Sequence, residues 1–146
     1  MRIYLDVCCL NRPFDDQAQE RIRLESEAVL AILRRVETQQ WELAGGEVVE
    51  FETDRMPDVE RRQRVRALAQ LAGHRQGIDV HVQTRARELV TAGLKPLDAL
   101  HLACAEAVSV DVVLTTDDRL LRAIRRVGLA RMKVNNPLPW LHEVLA

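Results

Sequence analysis

The stretch Asp111-Val112-Val113-Leu114-Thr115-Thr116-Asp117-Asp118-Arg119-Leu120-Leu121 holds two different periodicities side by side. Val112, Val113 and Leu114 form a short continuous apolar run with β-branched bias, which reads as a strand buried on both faces. From Asp117 the spacing becomes helical, runs to Val127, and meets a natural stop at Gly128. A doubly buried strand that passes directly into a helix is the unit of a parallel α/β sheet. The same alternation extends in both directions. Upstream, Pro96 is placed to open a helix over Leu97–Val108, and Gly93 closes an earlier one ending near Thr91. Gly77–Val82 reads as a short strand before that helix. Pro57 and Asp58 start a helix with Val65, Leu68 and Leu71 on its apolar side and Arg61, Arg62, Arg64 and Arg66 on an exposed face. Nearer the start, Arg2–Leu5 is a first strand and Asn11–Asp16 a turn-rich loop. Gln17–Gln39 is a helix with Ile22, Val29, Leu30, Leu33 and Val36 on one stripe. Trp41–Ala44 is a strand broken by Gly45-Gly46, and a helix begins near Glu47. Downstream, Met132–Val134 is a last strand and Pro137–Val144 a last helix. The expected fold is a three-layer α/β/α arrangement on a central parallel sheet, organised as one domain over residues 1–146.

Bulk properties narrow the function. The chain has 146 residues, 47% hydrophobic and 29% charged, with a formal net charge of −1. That is an ordinary composition for a globular domain able to bury a core, with no global basic field. Nucleic acid can then be bound only through a local basic patch. Cys8, Cys9 and Cys104 are odd in number and two are adjacent, which fits neither a disulfide framework nor a zinc site. Reduced thiols, the absence of a bilayer-length apolar run and an early charge at Arg2 imply a cytoplasmic protein with no signal peptide.

In open parallel sheets, ligands bind beyond the C-terminal ends of the strands. Acids cluster at those positions here. Asp6 follows the first strand, and Asp117 and Asp118 follow the Val112–Leu114 strand. Glu47, Glu50 and Glu52 lie at the start of the helix after the second strand, and Asp98 sits in the first turn of the Leu97 helix. Carboxylates brought together repel, and each raises the other's pKa. A divalent cation with a taste for oxygen, Mg²⁺ or Mn²⁺, relieves that cost. His101 lies one turn beyond Asp98 and reads mainly as a packed core histidine. Arg12, Arg119 and Lys95 flank the acids and are candidate phosphate contacts.

Four of these stretches resemble the PIN domain family, and in particular the toxin ribonucleases of VapC type. They are Ile3-Tyr4-Leu5-Asp6, Gly46-Glu47-Val48-Val49-Glu50-Phe51-Glu52, Pro96-Leu97-Asp98-Ala99-Leu100-His101-Leu102-Ala103 and Leu114-Thr115-Thr116-Asp117. The tail Asn135-Asn136-Pro137-Leu138-Pro139-Trp140-Leu141 resembles the family's closing segment. The resemblance implies an RNA-cleaving nuclease with Asp6, Glu52, Asp98 and Asp117 as its catalytic and metal-holding set. Counting from the small residue that opens the helix selects Glu52, with Glu47 and Glu50 as competitors. It further implies a homodimer and a cognate antitoxin protein whose peptide blocks the site. One departure is clear: the family often follows its first acid with Thr-Asn, whereas here Asp6 is followed by Val7-Cys8, with Asn11 as a candidate substitute. That departure motivates a second reading, a PIN-like module that binds RNA or a protein without cutting. Other scaffolds fit less well. A haloacid-dehalogenase phosphatase needs an Asp where Cys8 stands. A receiver domain needs a paired N-terminal acid and a well-placed Lys, and a dinucleotide-binding fold needs a glycine-rich first turn.

Overall fold

The computed structural model describes residues 1–129 and 131–146. Five parallel strands form one sheet: β1 (Arg2–Leu5), β2 (Glu42–Gly46), β3 (His74–Gln76), β4 (Val112–Leu114) and β5 (Lys133–Asn135). Their order is β3-β2-β1-β4-β5. The helices are α1 (Val7–Asn11), α2 (Glu20–Glu37), α3 (Glu47–Asp54), α4 (Val59–Ala69), α5 (Val80–Thr91), α6 (Pro96–Ala107), α7 (Asp118–Val127) and α8 (Pro137–Leu145). From β1 the chain steps outward to β2 and β3, then returns across the sheet to β4 and β5. Right-handed crossovers place the two sets of connections on opposite faces, which is the three-layer α/β/α fold. Among the described residues no helix is long and apolar enough to cross a membrane.

The central strands are fully enclosed. Ile3, Tyr4, Leu5, Val112, Val113 and Leu114 are each at most 2% exposed, as expected of a strand covered on both faces. Leu5 pairs with Leu114 and Tyr4 with Val113, and Tyr4 pairs with Ala44 on the other side. The order reverses at β1, so a crevice opens beyond the ends of β1 and β4.

Several elements differ from the sequence reading. The segment 77–82 is no strand. Strand β3 comes earlier, at His74–Gln76, and Asp79 caps α5 by accepting a hydrogen bond from the Val82 backbone N–H at 2.8 Å. The alternation of Ile78, Val80 and Val82 mimics a strand, but the cap fixes the backbone as a helix start. The turn-rich loop expected over Asn11–Asp16 begins instead as the end of α1 and a single 3₁₀ turn at Arg12–Phe14. On α2 the buried stripe is Glu25, Ala28, Val29, Ile32, Leu33 and Val36, whereas Leu30 points outward. Arg61 is not a solvated charge, because it bonds Asp15 and the Phe14 carbonyl, each at 2.6 Å.

Gly45 and Gly46 continue β2 rather than breaking it. Gly46 has φ +138°, and a Cβ there would stand 2.2 Å from the Gln76 carbonyl oxygen. Only glycine tolerates both the dihedral and the approach of β3. Gly46→Ala is therefore expected to destabilise the fold by about 2 kcal/mol or more. Equilibrium urea unfolding of the variant beside wild type measures this.

Candidate active site

Asp6 leaves β1 at the crevice and caps α1. Its Oδ1 accepts from the Val7 N–H at 2.8 Å. Its Oδ2 accepts from the Thr115 hydroxyl at 2.8 Å and from the Cys8 thiol at 3.4 Å. The β1–β4 pairing creates this arrangement: the Asp6 N–H bonds the Leu114 carbonyl at 3.0 Å, so the next residue along, Thr115, falls against the Asp6 carboxylate. The Thr115 hydroxyl in turn accepts from the Asp117 N–H at 3.1 Å. Asp117 caps α7, its Oδ1 accepting from the Arg119 and Leu120 N–H groups. Its neighbour Asp118 is drawn away into a bidentate pair with Arg21, at 2.8 and 2.9 Å.

The three glutamates of α3 part company. Glu47 accepts from the Ile78 N–H at 3.0 Å, and Glu50 pairs with Arg75. Glu52 turns into the crevice, where its Oε1 lies 2.8 Å from His101 Nε2. His101 Nε2 also stands 3.9 Å from Asp6 Oδ1. Ligand atoms of Asp6, Glu52 and His101 all lie within 4.8 Å of one another. Asp98 sits one helical turn before His101 on α6. Burial, reinforced by the negative charges of Asp6 and Asp117, pushes its carboxyl up to about 6. Of the four sequence-predicted acids, Asp6 and Glu52 meet within the group that includes His101; Asp98 and Asp117 are outside that group, although Asp98 feels the charges of Asp6 and Asp117.

His101 is more than packing. It is 3% exposed, and its Nδ1 lies 2.6 Å from the Tyr4 hydroxyl. Tyr4 is fully enclosed and its hydroxyl has no other hydrogen-bond partner among the described residues; it donates to Nδ1 in the tautomer that suits Glu52. The Glu52 carboxylate can only accept, so Nε2 carries the proton. The single tautomer with its proton on Nε2 satisfies both contacts. His101 lies within reach of an ion at the cluster, but it meets Glu52 as a donor that orients that carboxylate. Burial raises the Tyr4 pKa well above the usual tyrosine range, with nearby anionic groups adding to it, so Tyr4 stays protonated.

Cys8, not Asn11, takes the supporting place beside Asp6. Its Sγ contacts Asp6 Oδ2, lies 3.3 Å from the Thr115 hydroxyl and accepts from the Thr116 N–H at 3.3 Å. Asn11 instead donates to the Val7 carbonyl and accepts from Arg61. Behind the site lies a buried ion network that sequence reasoning missed. Glu25, 1% exposed, accepts from Arg12 Nε at 3.0 Å, from Arg21 Nε at 3.3 Å and from the Asn136 amide. Its signal was present, since Glu25 lies three residues from Ile22 and four from Val29, on the inward stripe of α2. Arg12 is occupied by Glu25 and Asp15 rather than free for phosphate.

The donor set suits a hard divalent cation. Two oxygens each about 2.1 Å from one ion are at most about 4.2 Å apart, which is close to the spread of the cluster. The oxygens of Asp6, Glu52, Asp98 and Asp117 are the preferred donor type, and burial raises the Cys9 and Cys104 thiols, so neither is offered as a thiolate.

The family model described as the PIN domain matches residues 3–126. No curated protein sequence matches the chain.

Asp98 yields a pH prediction. Its folded pKa of about 6 lies above the 3.8 of an unperturbed aspartate. A raised acid contributes stability that is complete below the unfolded value and is lost as pH rises through the folded one. In EDTA, unfolding free energy is expected to fall between about pH 4 and pH 6, and Asp98→Asn to flatten that fall. Urea titrations across that range check it; a parallel fall in the variant assigns the effect to another group.

Proposed function

The chain belongs to the PIN domain family, and from that premise we propose that it is a Mg²⁺- or Mn²⁺-dependent endoribonuclease hydrolysing RNA phosphodiester bonds. PIN domains are in general metal-dependent nucleases, and this chain keeps a buried acidic cluster able to hold an ion. The observation that carries the reading is the meeting of Asp6 and Glu52 with His101, ligand atoms within 4.8 Å of one another, beside an Asp98 whose carboxyl is pushed up to about 6 by burial and by the charges of Asp6 and Asp117.

In this reading Asp6, Asp98 and Asp117 hold the cation, with Glu52 completing the set. Bound there, a divalent cation supplies Lewis acidity that activates water and offsets charge developing on the phosphate. The chain's own residues do the positioning. Val7, Thr115 and Cys8 hold the Asp6 carboxylate by three donors. Tyr4 sets the His101 tautomer, and His101 aims Glu52. Asp98, its carboxyl raised by burial and by Asp6 and Asp117, would be held more firmly as the carboxylate by a bound cation. No covalent nucleophile is required, and Cys8, spent on Asp6 and Thr115, is a support.

Residues 1–146 act as one nuclease domain in this proposal. The toxin role, a VapC-type ancestry, a homodimer and a cognate antitoxin rest on the resemblance of the four sequence stretches to that subfamily. A cytoplasmic setting rests on the three free thiols. The place taken by Cys8 argues for cleavage over an inactive RNA- or protein-binding module, since the polar support whose loss motivated that alternative is supplied by sulfur.

Asp6→Asn and Asp98→Asn are each expected to lower cleavage of a mixed RNA pool by about 10²–10³-fold, and EDTA to abolish cleavage in wild type until Mg²⁺ or Mn²⁺ is restored. Calorimetry should show millimolar or tighter metal binding to wild type and weakened binding to both variants. Undiminished cleavage in both variants sinks the carboxylate site.

A further inference from the structure

Arginines crowd two helices, α4 and α7, but the two sets are in different electrostatic states. On α4, Arg61 pairs with Asp15 at 2.6 Å, Arg64 with Glu60 at 2.6 Å and Arg66 with Asp54 at 2.5 Å, while Arg62 bonds the Met56 carbonyl at 2.8 Å. Three of its four arginines are thus charge-paired. On α7, Leu120 is buried and Ile124 and Val127 are partly so, all packed on the core, whereas Arg119, Arg122, Arg125 and Arg126 are exposed. Among the described residues Arg122, Arg125 and Arg126 form no salt bridge, and Arg119 reaches only Asp117, at 3.9 Å. Asp118, the remaining acid of α7, is already taken by Arg21.

Arg125 and Arg126 have a sufficient local reason to exist. They stand in the last turn, where cations complement the negative end of the helix dipole. Arg119 and Arg122 have a weaker one: Arg119 lies 3.9 Å from Asp117, and Arg122, one turn after Asp118, feels a carboxylate that Arg21 already holds. They lie in the first half of α7, where the dipole disfavours cations, and at an i, i+3 spacing that puts them on one face. Asp117, which caps this same helix, faces the carboxylate crevice. Lys95, exposed and without a salt bridge among the described residues, precedes the helix that carries Asp98 and His101 and lies near enough to Asp98 to lower its pKa. A site lined by carboxylates repels a polyanion, so an RNA strand can approach only if cations flank it.

We propose that the exposed face of α7, through Arg119 and Arg122, is the track that holds the RNA backbone beside the carboxylate crevice, with Lys95 a further phosphate contact near Asp98. This rests on the nuclease reading for the identity of the polyanion. The contacts are to phosphates and carry no base preference. Aromatic residues are scarce, 3% of the chain, so base stacking contributes little beside this mode.

The test compares the double variant Arg119→Gln/Arg122→Gln with the control Arg64→Gln/Arg66→Gln, which removes the same charge from α4. All four side chains are exposed, and thermal melts verify that both variants are folded. Binding of a short 2′-O-methyl oligoribonucleotide is measured in EDTA over a range of salt. Each phosphate contact contributes about 0.7 to the slope of log Kd against log salt for a single strand. The α7 variant is expected to lose about 1.4 from that slope, equivalent to about 25-fold weaker binding at about 0.1 M salt if the proteins bind alike at about 1 M. The α4 control should lose less than half as much. Equal losses in the two variants, no loss in either, or no salt-dependent binding by wild type each overturn the proposal. Cleavage by wild type alongside an unchanged α7 slope removes the track and leaves the nuclease standing. An α7-dependent slope in a wild type that cuts no RNA keeps the track and removes the nuclease.

Discussion

The pairing of Leu5 with Leu114 is the constraint on which the crevice depends. It brings the ends of β1 and β4 level, so that Asp6 leaves one strand opposite Thr115 leaving the other. The Asp6 N–H then bonds the Leu114 carbonyl, and the Thr115 hydroxyl bonds the Asp6 carboxylate. A slip of one residue would turn every side chain of β1 to the opposite face and move Asp6 out of register with both Thr115 and Asp117. Apolar burial holds the register. Ile3, Tyr4, Leu5, Val112, Val113 and Leu114 are enclosed on both faces of the sheet, each worth roughly 1.5–3 kcal/mol for a large side chain. The site itself works against folding, since it gathers like charges where burial already disfavours them. The elevated Asp98 carboxyl is the visible sign of that tension.

Neutralisation elsewhere in the molecule determines which acids and bases are left for chemistry. Arg75 removes Glu50, the Ile78 backbone removes Glu47, and Arg21 removes Asp118. What is left is Glu52 and Asp6, gathered with His101, and Asp98, which feels the charges of Asp6 and Asp117. The same accounting on the cationic side occupies Arg12 and Arg61 and leaves α7 uncompensated. The buried Glu25 ties these partners into the scaffold: it accepts from Arg12 beyond α1, from Arg21 on α2 and from Asn136 at the start of α8. A buried carboxylate is tolerable only with its oxygens this fully satisfied, so the network also fixes how α8 closes on α2.

The layer architecture, most helix spans and the four candidate acids could be read from residue order, because periodicity and position after a strand are local properties. Val112–Leu114 followed by Asp117 announces a buried parallel strand with an acid at its mouth wherever the rest of the chain goes. The readings that missed were those in which local preference competed with a distant partner. Val80 and Val82 look extended until Asp79 caps their backbone. Gly45-Gly46 looks like a break until β3 is seen to pass so close to Gly46 that no side chain fits. Cys8 looks like a lost polar contact until Thr115 and Thr116 arrive beside it from more than a hundred residues away. Read alone, the chain specified an α/β sheet with acids at its open edge, since hydrophobic period and strand-end placement are written in neighbouring residues. Which glutamate enters the crevice, which histidine tautomer orients it and which arginines remain unpaired were set only by long-range packing, because each depends on a partner that sequence spacing does not identify.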